Sequence, residues 1–105
     1  MELPEVSFAR ERILEQVKSI VLSSFHLMSV KVYLFGSWAR KEEKKTSDID
    51  IGVWYNNSLP NGTLMQLRSI LEESTIPYRI DLVDLTKADL LLLEKVRKEG
   101  IVWKD

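Results

Sequence analysis

Two aspartates separated by one residue, Asp48 and Asp50, are the first residues here whose types and spacing could do chemistry. In a β-strand, this spacing places both side chains on the same face. Carboxylates about 4–5 Å apart repel each other by several kcal/mol at an effective dielectric constant of about 20. A divalent cation such as Mg²⁺ would relieve this repulsion, because it binds one or two carboxylates and keeps water and substrate phosphates as its other ligands.

A purely structural explanation of the same pair is equally compatible with the residues alone. In that explanation Asp48 caps the beginning of the strand, and Asp50 pairs with a lysine at the surface. The pair by itself therefore does not decide between a metal site and a solvent-exposed turn.

A third aspartate, Asp81, lies in the middle of the largely apolar segment 78–85. If that segment is a strand next to the strand of Asp48 and Asp50, all three carboxylates belong to one cluster. Asp84 has the opposite parity and lies near the end of the segment, so we expect it to face the surface or to cap a turn.

A phosphate-binding turn is predicted at Gly36 and Ser37, directly after an apolar segment. Glycine lets a phosphate approach the backbone, and the serine hydroxyl and the first amides of a following short helix would donate hydrogen bonds to it. Alone, the dipeptide is a weak signal, because any strand-to-helix turn favours glycine followed by a capping serine.

The elements that would position these residues alternate between helices and strands. Apolar residues at spacings of three and four predict helices over residues 6–25 and 64–71. Strands are predicted over residues 30–35, 48–55, 78–85 and 101–103, a short helix over 37–40, and a polar loop over 41–47. Thr86 and Asp89 resemble a capping box that begins a last helix, which Gly100 would end.

This order of elements predicts an α/β (α+β) fold, a mixed or parallel sheet of three to four strands flanked by helices. With 105 residues, we expect one domain over residues 1–105. The 45% hydrophobic and 30% charged composition is typical of globular proteins.

Charge and composition exclude several classes of function. A net charge of -1 lacks the basic excess of a general nucleic-acid binder. The absence of cysteine excludes disulfides, thiolate metal sites and cysteine nucleophiles. The longest purely apolar run, residues 90–93, is too short to span a membrane, and the acidic start does not resemble a signal peptide, so we expect a cytoplasmic protein.

Gly36-Ser37, the ten residues that follow, and Asp48-Ile49-Asp50 together resemble the Gly-Ser-x10-Asp-x-Asp signature of the nucleotidyltransferase (DNA polymerase β-like) superfamily. Within it, the short chain is similar to the minimal nucleotidyltransferases, the MNT antitoxins of HEPN/MNT toxin–antitoxin pairs. The resemblance covers about the whole chain. One departure is Lys41, which stands where the family often has glycine, so we expect the exit of the short helix to differ.

The resemblance implies an enzyme that transfers a nucleoside monophosphate, AMP from ATP, to an acceptor hydroxyl and releases pyrophosphate. It assigns Asp48 and Asp50 to two bound Mg²⁺ ions. It assigns Asp81 to the catalytic metal and to the proton of the acceptor hydroxyl.

By the same resemblance, Ser37 and the amides around Gly36 bind the β- and γ-phosphates, and Arg40 adds positive charge. The implied acceptor is a partner HEPN toxin, which adenylylation would silence. Homo- and hetero-oligomers both remain open.

Two other functions stay open at the level of sequence. One is an antitoxin that occludes its partner with little catalysis, although three clustered acids have no use in a pure binder. The other is nucleotide transfer to a small molecule, although such relatives carry a further acceptor domain for which 105 residues leave little room.

The remaining conspicuous residues favour structural roles. His26 is expected to face water or to cap the first helix. Trp38, Trp54 and Trp103 are expected to pack against neighbours, with Trp54 also a candidate for the nucleotide pocket. Residues 90–93 are four leucines, more than one core-facing stripe needs, which indicates a surface for protein contacts.

Overall fold

In this computed structural model, the backbone is described for residues 5–105 and the side chains from residue 9 onward. The elements in chain order are α1 (Glu5–Ser24), β1 (Val30–Phe35), β2 (Ile49–Tyr55), α2 (Thr63–Glu72), β3 (Ile80–Asp84), a 3₁₀ turn (Leu85–Lys87), α3 (Leu90–Glu99) and β4 (Ile101–Lys104). Residues 1–4, on which the expectation about a signal peptide rests, lie outside the described residues.

The four strands form one mixed sheet in the order β3-β2-β1-β4. Strand β1 is antiparallel to β2 and to β4, whereas β2 and β3 are parallel. Parallel neighbours need a long crossover connection, and α2 supplies it between β2 and β3. The predicted mixed sheet flanked by helices is confirmed.

The main core lies between α1, α2 and one face of the sheet. Because side chains alternate along a strand, every second residue of β1 and β2 contributes to it. The buried members from the sheet are Val30, Val32, Leu34, Ile49, Ile51, Val53 and Leu82, and those from the helical layer include Val17, Val21, Phe25, Leu67 and Leu71. Each fully buried aliphatic side chain stabilises the fold by about 1.5–3 kcal/mol, so this core fixes the strands that carry the acids.

The opposite face of the sheet is covered only in part, by α3 and the 3₁₀ turn. Phe35, Leu85 and Val96 are buried there. Gly52 allows the close approach, because a Cβ at that position would lie 2.7 Å from a methyl carbon of Leu85. The residues of β2 and β3 that belong to this face include Asp50 and Asp81, so the uncovered part of the face is where a site can form.

Trp38 belongs to the core and not to a base-stacking surface. Its side chain is 2% exposed and its ring meets Tyr78 edge to face, with 4.9 Å between ring centroids. Arg10 of α1 lies over the indole at 5.8 Å, donates to the Trp38 carbonyl, and forms an ion pair of 2.8 Å with Glu43. These contacts fix the segment after β1 against α1.

Residues 37–40 form a series of turns and not the predicted short helix. The Arg40 amide donates to the Gly36 carbonyl at 3.2 Å, and the Glu42 amide donates to the Ser37 carbonyl at 2.9 Å. The helical repeat stops at Lys41, whose φ of 60° is left-handed. Lys41 is therefore a non-glycine residue in a conformation that glycine favours.

The predicted capping box at Thr86 and Asp89 is wrong. Asp84 caps the 3₁₀ turn by accepting hydrogen bonds from the Thr86 amide and hydroxyl, and Asp89 itself caps α3 by accepting from the Leu92 amide at 2.9 Å. Each aspartate satisfies amides that the helical turns leave without partners.

The surface of the helices matches the expectations in part. His26 is exposed, as expected. Leu90 and Leu91 are 80% and 83% exposed, whereas Leu92 and Leu93, on the same helix, pack against the cluster of Phe35, Leu85 and Val96. Within residues 5–105, no helix combines the length and the apolar character needed to cross a membrane.

Candidate active site

Asp48, Asp50 and Asp81 lie at the same end of two neighbouring strands. Asp50 and Asp81 are direct partners in the parallel register of β2 and β3. Partners in adjacent parallel strands point to the same face of the sheet, and Asp48 follows the same alternation two residues before Asp50. The structure therefore places the three predicted acids together, on the face that α3 covers only in part.

The electrostatics of the cluster are most visible at Asp50, which is half-buried. Burial raises the pKa of this carboxyl, and the negative charges of Asp81 and Asp48 raise it further, to about 6. Lys95 and Arg40 lower the pKa but offset only part of that rise. A cleft that makes a carboxylate costly to ionise in this way is typical of functional sites.

Gly36 makes room for Asp50. Its φ is +76°, and a Cβ added there would lie 2.1 Å from the Oδ2 atom of Asp50. No side chain fits that space, because a Cβ atom does not approach another non-bonded heavy atom to less than 3.0 Å. The left-handed backbone also disfavours any residue other than glycine. In this structure the glycine thus admits the carboxylate of β2, a role additional to the predicted approach of a phosphate.

The hydrogen-bond donors of this turn are bound by a residue that sequence reasoning missed, Glu99 at the end of α3. The Gly36 amide donates to Glu99 Oε1 at 3.1 Å, and Arg40 Nη1 donates to Glu99 Oε2 at 2.8 Å. Arg40 Nε donates at 2.8 Å to Glu42, and these two hydrogen bonds raise the pKa of Arg40, the bond to Glu42 more strongly. Ser37 is partly exposed beside this network.

The only sequence signal for Glu99 is its spacing of four from Lys95, a common surface pair on helices. The two side chains approach to 4.0 Å, but the Glu99 side chain is only 17% exposed. Contacts across 63 and 59 residues to Gly36 and Arg40 leave no local pattern. They arise because α3 packs over the end of β1.

The chemistry of the three aspartates fits a hard divalent cation. As the side chains stand, no three His, Asp or Glu residues of the described chain already form a metal-binding group. The donors are carboxylate oxygens, which Mg²⁺ prefers, and the raised pKa of Asp50 reflects repulsion that a cation would remove. The cluster offers carboxylate oxygens as metal ligands, and its negative charge is only partly neutralised by nearby basic residues.

Positive charge near the other two acids is sparse. Arg79 Nη1 lies 3.9 Å from Asp48 Oδ2, and the Arg79 side chain is 78% exposed, so water screens this pair. Asp81 borders a cavity of about 330 Å³ at the β3 edge, which Arg68 and Arg79 also line. Glu72 also lines this cavity, so two acids and two arginines give it a mixed charge.

Trp54 shares the sheet face of Asp50 but lies at the other end of β2. It lines an apolar cavity of about 340 Å³ with Tyr33, Val96 and Val102 among others, and none of the three aspartates lines it. Gly52 and Leu85 occupy the face between the two places. The structure therefore does not bring Trp54 to the acids, and its candidacy for the nucleotide pocket has no support here.

Asp84 has the capping role that its parity predicts. Burial opposes its ionisation, but hydrogen bonds from Thr86 and Tyr55 outweigh burial and hold the pKa of this carboxyl below its ordinary value. The Tyr55 hydroxyl donates to Asp84 Oδ2 at 2.8 Å. Asp84 is therefore a structural acid of β3, distinct from Asp81.

The parallel strand pair with facing aspartates, and the glycine turn against the same acids, match the site that the resemblance to the nucleotidyltransferases implies. The family model described as "Polymerase beta, Nucleotidyltransferase" matches residues 15–104. The chain belongs to this family. Membership implies, in general terms, a nucleotide substrate and a divalent metal.

The chain is also similar in sequence to a protein described as an adenylyltransferase. The "Protein adenylyltransferase MntA" of Shewanella oneidensis is 36% identical over 69 residues, which are 66% of this chain and 49% of that protein. The chain thus spans about half the length of this relative.

The fold of the chain is similar to solved structures of toxin–antitoxin complexes. A crystal structure of a toxin–antitoxin with AMP-PNP aligns with a TM-score of 0.67 at 28% identity, covering 83% of this chain and 72% of that chain. A chain of the structure described as "tri-AMPylated Shewanella oneidensis HEPN toxin in complex with MNT antitoxin" aligns with a TM-score of 0.65 at 25% identity, covering 90% of this chain and 71% of that chain.

Proposed function

We propose that this protein is a Mg²⁺-dependent nucleotidyltransferase that moves AMP from ATP to a hydroxyl group of a partner HEPN toxin and so acts as an antitoxin. The observation that carries the proposal is the parallel register of Asp50 and Asp81, with Asp48 on the same face and the Gly36 turn against them. The relatives described as a protein adenylyltransferase and as an MNT antitoxin bound to an AMPylated toxin support the choice of acceptor.

In the proposed reaction, an acceptor oxygen forms a bond to the α-phosphorus of ATP while the bond to the bridging oxygen of the β-phosphate breaks and pyrophosphate leaves. Two Mg²⁺ ions, when bound, would stabilise charge on the attacking and leaving oxygens. Asp48 and Asp50 would hold both ions through their carboxylate oxygens. Asp81 would bind one of them and accept the proton of the acceptor hydroxyl.

The triphosphate end of the nucleotide would lie at the Gly36 turn. The Gly36 amide and the Ser37 hydroxyl are donors for the β- and γ-phosphates, and Arg40 supplies positive charge at the same turn. Because ATP is a cytoplasmic substrate, this proposal also assigns the reaction to the cytoplasm.

The test is transfer of labelled AMP from ATP to the HEPN partner, which the adjacent open reading frame would supply, in the presence of Mg²⁺. We expect Asp50→Asn to lower transfer at least about 1,000-fold, because one lost metal-binding carboxylate removes several kcal/mol of transition-state stabilisation. Thermal melting in the same buffer verifies that the variant remains folded.

The matched control is Asp89→Asn, the same chemical change at the cap of α3, where asparagine caps equally well. It should transfer AMP at the rate of the unchanged protein. Equal activity of the Asp50 variant would end the assignment of the metal site.

A second function, neutralisation by occlusion, is favoured by one observation. Leu90 and Leu91 are almost fully exposed at the start of α3, where an apolar partner surface would remove them from water. In the same assay, tight binding of the partner without label would support occlusion, and label on an added small hydroxyl compound alone would support a small-molecule transferase.

A further inference from the structure

Glu99 binds the donors that the proposed function reserves for the nucleotide. One carboxylate oxygen accepts from the Gly36 amide at 3.1 Å, and the other accepts from Arg40 Nη1 at 2.8 Å. Lys95 approaches the first oxygen to 4.0 Å. An amide N–H has one hydrogen to donate, so the Gly36 amide cannot serve Glu99 and a phosphate with full strength at the same time.

A carboxylate and a phosphate present similar acceptors to these donors. Arginine binds either group through charge-assisted hydrogen bonds from the same planar fork, and a backbone amide beside it completes the same pocket for oxygen anions. The Glu99 side chain is 17% exposed, so it occupies the position and does not merely border it. The Glu99 carboxylate therefore occupies the position, and accepts the hydrogen bonds, that a phosphate group of the nucleotide would use.

We propose that Glu99 is an autoinhibitory anion of the nucleotide site, which the triphosphate must displace before it binds the Gly36 turn. This inference rests on the proposed function, since it takes the phosphates of a nucleoside triphosphate as the ligand of Gly36 and Arg40. In this proposal, the Gly36 amide and Arg40 Nη1 donate either to Glu99, when no nucleotide is bound, or to the phosphates of the nucleotide.

The exchange needs only a side-chain rotation. Glu99 is the last residue of α3, and Lys95, one turn earlier on the same helix, is already within 4.0 Å as an alternative partner. Arg40 keeps its second bond, from Nε to Glu42 at 2.8 Å, so the guanidinium stays in place while its Nη1 changes partner. The backbone of the turn can therefore remain as it is.

The charge balance predicts the direction of the effect. The negative charges near the turn belong to Asp48, Asp50, Asp81, Glu42 and Glu99, and the positive charges to Arg40, Lys41 and Lys95. Removal of the Glu99 charge would release the donors and reduce repulsion of the polyphosphate. If Glu99 instead only holds the turn in shape, its removal would loosen the donors and weaken binding.

The experiment measures binding of the non-transferable analogue AMP-PNP with Mg²⁺ by calorimetry in the full chain. We expect Glu99→Gln to bind about fivefold to tenfold more tightly, because a neutral amide oxygen competes less strongly than a carboxylate for the Gly36 and Arg40 donors. The matched control is Glu94→Gln on the same helix, whose carboxylate pairs with Arg97 and should leave the affinity unchanged.

A second ligand separates competition from a general loosening of the site. Inorganic tripolyphosphate should gain affinity in the Glu99 variant by the same factor as AMP-PNP, whereas adenosine, which has no phosphate, should gain none. Glu99→Asp serves if the glutamine variant fails to fold, because the shorter side chain cannot span Gly36 and Arg40 together and should also bind more tightly.

The outcomes separate the two proposals. If the unchanged protein binds AMP-PNP but the Glu99 variants bind it equally or more weakly, Glu99 positions the turn and the inference is wrong. If the unchanged protein and all variants bind no nucleotide, the proposed function fails together with the inference that rests on it.

Discussion

At the scale of single residues, Asp50 shows what the proposed cation site would cost in stability. Half-buried between two other acids, it has a pKa of about 6 against an ordinary value of 3.8. The folded state thus prefers the protonated form, and ionisation near neutral pH destabilises the fold until positive charge arrives. The proposed function requires the ionised form, since a metal-binding carboxyl must be deprotonated to hold Mg²⁺.

The pH dependence of this conflict can be predicted with its sign. A folded pKa above the unfolded value gives a contribution to stability that is fully present below about pH 4 and is lost as pH rises to about 6. In a chelating buffer at pH 7.5, Asp50→Asn should therefore be more stable than the unchanged protein. The expected difference is about 1 kcal/mol, after a discount for the solvent-accessible half of the side chain, or a melting temperature about 4 °C higher.

The difference should vanish near pH 4, where the aspartate is protonated in both states. Millimolar Mg²⁺ should raise the melting temperature of the unchanged protein at pH 7.5 and leave the Asp50 variant unaffected. A variant less stable than the unchanged protein at pH 7.5 without metal would show that the carboxylate is not under electrostatic strain.

At the scale of elements, the segment from Gly36 to Lys41 joins β1 to the site through two left-handed residues, with φ of 76° and 60°. The first is a glycine because Asp50 lies where a Cβ would be. The second is a lysine, exposed to solvent, in a conformation that costs an L-residue about 1–2 kcal/mol. The segment therefore contains one conformation that its sequence does not favour.

We expect Lys41→Gly to stabilise the protein by about 0.5–1 kcal/mol, since relief of the left-handed strain exceeds the entropy cost of glycine. Chemical denaturation measures the change. Lys44→Gly is the matched control, because Lys44 is exposed in the same loop and, unlike Lys41, is not among the residues with positive φ. If the Lys44 variant is the more stable of the two, the backbone at Lys41 is not strained.

The elements themselves were largely predictable. Val30 to Phe35 and Ile49 to Tyr55 alternate buried and less buried residues, and α1 and α2 carry apolar stripes, so local periodicity was enough. The Thr86 capping box was not predicted correctly, because the Thr86 amide donates to Asp84 and the N-cap of α3 is Asp89, three residues later in the chain. Aspartate and threonine are both favoured caps, and only the backbone geometry decides between them.

At the scale of the whole molecule, α3 divides its leucines between two environments. Leu92 and Leu93 pack against the smaller core cluster between α3 and the sheet, while Leu90 and Leu91 are 80% and 83% exposed. These exposed leucines bury little apolar surface in this fold, so we expect them to contact another chain.

We expect the double change Leu90→Ser and Leu91→Ser to alter the free energy of unfolding by at most about 0.5–1 kcal/mol, because both side chains are in water in the folded state. Its affinity for the proposed HEPN partner should fall at least about tenfold, because the apolar area that Leu90 and Leu91 would bury in that contact is lost. Surface plasmon resonance measures this affinity. Met65→Ser, at a 72% exposed position on α2, is the control and should bind as before; equal losses in both variants would remove the α3 assignment.

The sequence by itself determined the period of β1, β2, α1 and α2, the acid pair at Asp48 and Asp50, and the glycine turn, because these depend on spacing along the chain. Tertiary structure alone decided that Asp81 faces Asp50 across a parallel register and that Glu99 bonds to Gly36 and Arg40. Such contacts join residues tens of positions apart. Packing of the whole core sets them, so no local pattern of residues encodes them.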